Sequence, residues 1–231
     1  MVKRFFTIIH KEFSGLHEAA FLLGFSALAS QLLALLRDRL LAGTFGAGQT
    51  LDIYYASFRI PDLVYVTIAS FVSVTVLIPF LIDKIENKDN PAAKQLMNSV
   101  FTIFCLVMIG TSVVLYFFIP YLTKLTAPGF SPVAQAQLVT FTRILLFSPF
   151  FLGISNLLGS VTQSLRKFFI YALSPLLYNL GIIIGVTVLY PIVGPTGLVG
   201  GGALGALMHL LIQLPILLER GFFPKLTRAI H

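Results

Sequence analysis

The sequence predicts an all-α integral membrane protein, a bundle of six transmembrane helices. Three observations predict it. The 231 residues are 57% hydrophobic and only 11% charged, with a mean hydropathy of +0.91, whereas an ordinary soluble domain carries about 25% charged residues. Six apolar segments reach the roughly 20 residues that a helix needs to cross about 30 Å of hydrocarbon. Lys and Arg fall mostly in short connectors and at the two ends, as in a polytopic membrane protein.

Residues 1–17 form a basic, aromatic, amphipathic lead suited to the membrane interface. Glu12, His17 and Glu18 interrupt it, so it does not read as a cleaved signal peptide. Residues 18–218 hold the six spans, and 219–231 form an amphipathic tail. The first span covers about 19–41, and Gly43, Gly46 and Gly48 supply the turn after it. The second, about 51–82, is long enough to need a tilt or bend; Pro61 offers the bend by removing a backbone donor and crowding the preceding turn. The third covers about 96–122 and ends before Ala127-Pro128-Gly129. The fourth, about 134–165, contains Pro149; the fifth, about 168–190, contains Pro175 near its start; the sixth covers about 197–218. Pro61, Pro149 and Pro175 are the candidate hinges.

Orientation follows from the cations. With the N-terminus inside, Lys3, Arg4, Lys11, Lys84, Lys88, Lys94, Arg166, Lys167, Arg220, Lys225 and Arg228 all lie inside. Arg37, Arg39 and Lys124 lie at the outer surface, and Arg59 and Arg143 lie within spans. Both termini are therefore expected in the cytoplasm. The net charge of +7 does not suggest nucleic acid, because no basic stripe is interleaved with stacking aromatics. Cys105 is the only cysteine, which excludes an intrachain disulfide and a cysteine metal cluster. The run Gly200-Gly201-Gly202…Gly205 follows no strand and precedes no Lys-Ser/Thr, so it reads as close helix packing, not as a phosphate loop. His209 and Gln213, one turn apart, suit interhelical hydrogen bonds better than a metal. No nucleophile–base pair or paired-carboxylate site is visible, so neither an enzyme nor a cofactor is expected.

Charge inside a span is costly and marks candidate functional residues. Arg37, Asp38 and Arg39 end the first span, with Ser30 and Ser26 on the face of Arg37 and Gln31 on that of Asp38. That face suits the wall of a water-filled cavity holding an anion; an interfacial anchor or a buried Arg37–Asp38 or Arg37–Asp52 pair fits as well. Asp52 opens the second helix, where the helix dipole favours a carboxylate. Arg59 shares its face two turns on, beside Pro61 and Asp62, as a cavity cation or as half of an Arg59–Asp62 pair. Ser70 and Ser73 continue this face. Arg143, about three turns into the fourth span, is expected to face the bundle interior. The candidate cavity residues are thus Arg37, Asp38, Asp52, Arg59 and Arg143.

Arg37-Asp38, Ala42, Phe45-Gly46-Ala47-Gly48 and Asp52 spell RDxxxAxxFGAGxxxD. Tyr54-Tyr55, Ala56-x-Phe58-Arg59-Ile60-Pro61 and Ile78-Pro79 follow at close spacing. Thr126-Ala127-Pro128-Gly129-Phe130, then Pro175 with Asn179, then Gln213-Leu214-Pro215 complete an ordered set across nearly the whole chain. This set resembles the MurJ/MviN family, the lipid II flippases of bacterial cell-wall synthesis, in the multidrug/oligosaccharidyl-lipid/polysaccharide (MOP) exporter superfamily. The resemblance implies two six-helix lobes around a central cavity, plus two further helices, with this chain matching the N-terminal lobe. It implies cationic side chains that hold the diphosphate of a lipid-linked sugar, lobes that rock between two sides of the bacterial inner membrane, and roles for Arg37 and Asp52. The partners it implies are the lipid-linked diphosphate, membrane lipids, and a C-terminal lobe or second copy. The sequence departs from the family where arginines are common, at Gln31 and at Tyr65-Val66, and it has Ala69-Ser70-Phe71-Val72 in place of a Glu-Gly-Ala-Phe run. A related exporter of another glycolipid or a drug, and a non-transporting scaffold half, are the alternative expectations.

Overall fold

The computed structural model describes residues 16–69, 83, 90–219 and 221–227. Every regular element among them is helical. Helix α1 is Leu16–Phe45, and α2 is Gln49–Val64, running on into a wide π-helical turn, Tyr65–Ala69. Helix α3 is Asn90–Thr126, α4 is Pro132–Leu145 and α5 is Phe147–Ser164. Helix α6 is Phe168–Ile184, followed by a second π-helical turn, Gly185–Leu189, and the short α7, Tyr190–Val193. Helix α8 is Pro195–Leu211 and α9 is Leu214–Glu219.

Among the described residues, five helical stretches are long and apolar enough to cross a membrane: His17–Phe45, Pro91–Thr126, Pro132–Ser164, Phe168–Val193 and Pro195–Glu219. The predicted second span is described only as far as Ala69; Ser70, Ser73 and Pro79 lie outside the described residues, as does most of the lead. The first helix outruns its predicted span at both ends. It stops only at Gly46, whose φ of 64° suits a residue without a Cβ and whose N–H donates to the Ala42 carbonyl at 2.9 Å. The fourth predicted span is two helices, broken at Leu146. Pro149, third residue of α5, offers no N–H to the Leu145 carbonyl, so the ladder is interrupted there. The connector after the fifth span is shorter than predicted, because Pro191 lies inside α7 and Gly194, at φ 71°, makes the turn. Pro61 and Pro175 lie inside continuous helices. After Pro61 the irregularity comes at the π-helical turn that begins at Tyr65.

Helix α8 is central and packs on α6, α5 and α4; α1 lies on α6, α2 on α4, and α3 on α4 and α5. The α6–α8 contact is close because glycines face glycines. A Cβ on Gly181 would overlap the Gly205 backbone, and one on Gly185 that of Gly201. In hydrocarbon, where apolar side chains gain nothing by leaving lipid, such backbone approach is what binds helices. Two apolar clusters fill the bundle ends, one around Met97, Phe104, Met108, Leu157 and Val161, the other around Leu41, Tyr54, Leu138, Phe141 and Leu198. Cys105 belongs to the first. Phe21, Phe25, Leu28 and Leu32 form an exposed apolar stripe down α1. The described part of the tail is extended: the Lys225 N–H donates to Asn98 Oδ1 at 2.7 Å and the Thr227 N–H to Thr102 Oγ1 at 3.0 Å, both on α3.

Candidate functional site

A cleft of about 580 Å³ opens between α1, α2, α5, α6 and α8. Its polar wall comprises Arg37, Tyr54, Tyr55, Asp62, Tyr178 and His209, with Tyr65 beside Asp62. Arg37 is held on two sides. Its Nε donates to Asp38 Oδ1 at 2.9 Å, and its Nη1 donates to Asn179 Oδ1, on α6, at 2.9 Å. Asn179 Nδ2 in turn donates to Ser30 Oγ at 3.2 Å and to the Pro175 carbonyl at 3.2 Å. The serine that helical spacing placed on Arg37's face thus meets the same amide. The pair is only partly covered, with side-chain exposures of 23% for Arg37 and 48% for Asp38, so the arginine keeps room for a further partner.

Aromatic rings form much of the remaining wall. Tyr54 stands edge-on to Tyr55 and Phe58, with centroids 5.3 and 5.0 Å apart, an arrangement the ring quadrupoles favour. At the start of the π-helical turn, the Tyr65 hydroxyl accepts from Asn156 Nδ2 at 2.7 Å. Behind His209, α5 and α8 are joined through Ser155. Ser155 Oγ lies 2.7 Å from His209 Nδ1 and donates to the His209 carbonyl at 2.8 Å. Gln213 Nε2 donates to Ser155 Oγ and, at 2.9 Å, to the Ser155 carbonyl. A hydroxyl has one proton to give. With that proton on the carbonyl, His209 Nδ1 carries its own and donates to Ser155. The predicted interhelical role of His209 and Gln213 therefore has a shared partner.

The candidate residues do not converge on one cavity. Arg37 lines the cleft, Asp38 pairs with it, and Pro175 lines it as well. Asp52 is exposed in the first turn of α2, whose N-cap, Gly48, makes no side-chain bond; Asp52 is not in the cleft wall. Arg59 turns away: its Nη1 donates at 3.1 Å to the Thr126 carbonyl at the end of α3, where the helix dipole favours a cation. It makes no pair with Asp62, which faces the cleft instead. Arg143, expected to face the bundle interior, lies in a separate groove between α3 and the α4–α5 break. Its partner is neither a carboxylate nor the carbonyl orphaned by Pro149: its Nε donates to the Tyr116 carbonyl at 3.3 Å, and its guanidinium carbon sits 4.3 Å from the Tyr116 ring centroid. Asn156 and Tyr178 were not foreseen, and Asn179 was visible only through the family resemblance. An Asn four residues after a proline in an otherwise apolar helix is the signal for it.

Spanning helices interrupted by π-helical turns and a break, around a polar, tyrosine-walled cleft, define a multi-pass α-helical membrane protein. The family model described as Lipid II flippase MurJ matches residues 41–231, and the chain belongs to that family. Among its relatives, a probable lipid II flippase MurJ of Buchnera aphidicola subsp. Schizaphis graminum is 30% identical over 164 residues, 70% of this chain and 32% of the relative. The lipid II flippase MurJ of Burkholderia cenocepacia is 28% identical over 196 residues, 83% of this chain and 38% of the relative. A solved structure of a lipid II flippase MurJ in an inward closed conformation superposes with a TM-score of 0.74 at 22% identity, over 91% of this chain and 44% of that one. The chain thus spans about a third of the length of these two relatives, and it shares the fold of the corresponding part of the solved structure.

Proposed function

We propose that this chain forms the N-terminal part of a flippase that moves a polyprenyl-diphosphate cell-wall precursor such as lipid II across the bacterial plasma membrane by alternating access. The observation that carries the reading is Arg37, fixed between Asp38 and Asn179 on the wall of a cleft, in a chain of this family. A guanidinium already oriented by two acceptors presents its remaining N–H groups to phosphate oxygens, and such charge-assisted bonds are the strong ones. The rings of Tyr55 and Tyr178 offer apolar faces to a sugar, and the Asp62 carboxylate accepts from its hydroxyls. Asp52, at the end of the cleft-lining hairpin, serves as an outer gate. The chemistry is binding and release, without bond making. Both termini lie in the cytoplasm, and a second lobe, from the same polypeptide or another copy, closes the cavity.

The test is complementation. In cells depleted of their own lipid II flippase, the protein containing this chain is expected to restore growth and outer-leaflet lipid II, and Arg37→Gln is expected to abolish both at unchanged membrane abundance. Wild-type protein that reaches the membrane yet exposes no lipid II refutes the substrate assignment.

A further inference from the structure

The groove that holds Arg143 has a volume of about 560 Å³ and shares no residue with the cleft. Its walls are almost entirely carbon: Ile109, Val113 and Phe117 of α3 face Phe147, Phe150 and Phe151 of α5, with Leu146 at the break. It opens at the surface of the described bundle, since Val113, Phe117 and Phe147 are each more than half exposed. One full charge stands in this wall. The ring and carbonyl of Tyr116 orient the Arg143 guanidinium, but neither of its Nη groups has a protein partner among the described residues. The span Pro132–Ser164 has 33 residues; Arg143 lies about five residues, or roughly 7–8 Å, from its middle, on the side of the α3–α4 connector. Unmet donors at that depth are costly. Phosphate oxygens drawn down from the headgroup layer satisfy them in the geometry a planar fork prefers.

We propose that this groove is a binding site for an anionic phospholipid, with one acyl chain along the phenylalanine wall and the phosphate on Arg143. The groove alone selects any chain; the cation selects the headgroup. A zwitterionic lipid brings a compensating ammonium that Arg143 repels, so the site prefers lipids of net negative charge. The site is distinct from the one proposed for the transported diphosphate, and it remains testable whatever that substrate is.

The test places the photo-crosslinking residue p-benzoylphenylalanine at Phe147, on the groove rim. The full-length protein is reconstituted in phosphatidylcholine vesicles containing one-fifth phosphatidylglycerol, and the crosslinked lipids are identified by mass spectrometry. The ratio of phosphatidylglycerol to phosphatidylcholine crosslinks is expected to exceed its bulk value of one to four by about fivefold, and Arg143→Gln is expected to return the ratio to bulk while crosslinking to phosphatidylcholine persists. Wild-type crosslinks at the bulk ratio overturn the proposal, and so does enrichment that survives Arg143→Gln. Undecaprenyl diphosphate added as a third arm and crosslinked in preference to phosphatidylglycerol also overturns it, by giving the groove to the substrate lipid. Should Arg143→Gln fail to fold, the wild-type ratio decides alone.

Discussion

Asn179 reaches across from α6 to hold Arg37 of α1, accepting from Nη1 at 2.9 Å while its amide nitrogen donates to Ser30 Oγ at 3.2 Å. One side chain thereby ties two points of α1, seven residues apart, to the helix it packs on. Asn179→Ala removes an acceptor from a charged group, a bond worth about 1.5–3 kcal/mol. The variant is expected to keep the fold, melt several degrees lower, and lose tenfold or more of transport activity because Arg37 is free to swing onto Asp38 alone. Thermal melting of the purified protein and lipid II exposure in cells check the two effects. Unchanged activity with lowered melting makes Asn179 purely structural.

The glycine pairs at the α6–α8 contact predict a sharply position-dependent scan. Gly205→Leu and Gly181→Leu place side chains into backbone, beyond the range of adjustments that cost about 1–3 kcal/mol in a packed interior. Both are expected to abolish accumulation of folded protein. A Cβ on Gly200 meets nothing within 4 Å, and Gly200→Leu is expected to accumulate as wild type. Equal abundance of all three variants contradicts the packing.

Ser155 is shared by His209 and Gln213, so their contributions are coupled. Hydrogen bonds between spanning helices are worth about 1 kcal/mol each. Ser155→Ala and Gln213→Ala are each expected to lower stability by about that amount or somewhat more, and the double variant by clearly less than the sum. A double-mutant cycle on reversible unfolding in detergent measures the coupling; strict additivity removes Ser155 as the common partner.

What the sequence discloses and what it hides follow from the range of each physical argument. Hydropathy and connector chemistry are local: the first, fifth and sixth spans lie within about four residues of their expected bounds, the third helix outruns its bounds at both ends, and 134–165 proved to be two helices. Proline reasoning named Pro149 as a candidate hinge in that span, but the interruption falls at Leu146, ahead of Pro149, because the lost bond belongs to the preceding turn. Small-residue spacing correctly marked Gly201 and Gly205 as packing glycines. Helical-face arithmetic relates residues on one helix only. It grouped Ser30 with Arg37, yet it had no means of saying that Arg143 meets α3 or that Arg59 meets the end of α3, since both depend on which helix lies opposite. The tyrosines of the cleft stayed hidden for a related reason: a ring on an apolar helix looks the same whether it faces lipid or a cavity.

Tyr65 stands on the cleft wall at a position where the family commonly carries arginine, and its hydroxyl is engaged by Asn156 at 2.7 Å. It is only partly buried, so a longer side chain has room to extend into the cleft. Tyr65→Arg adds a second guanidinium to the wall that holds Arg37. If that wall binds a diphosphate, one new charge-assisted bond raises affinity for undecaprenyl diphosphate by about tenfold. Tyr65→Phe, which loses the Asn156 bond without adding charge, is expected to leave affinity unchanged and cost about 1 kcal/mol of stability. Binding measured in nanodiscs separates the two variants. An arginine variant that melts like wild type but binds no more tightly removes Tyr65 from the substrate path.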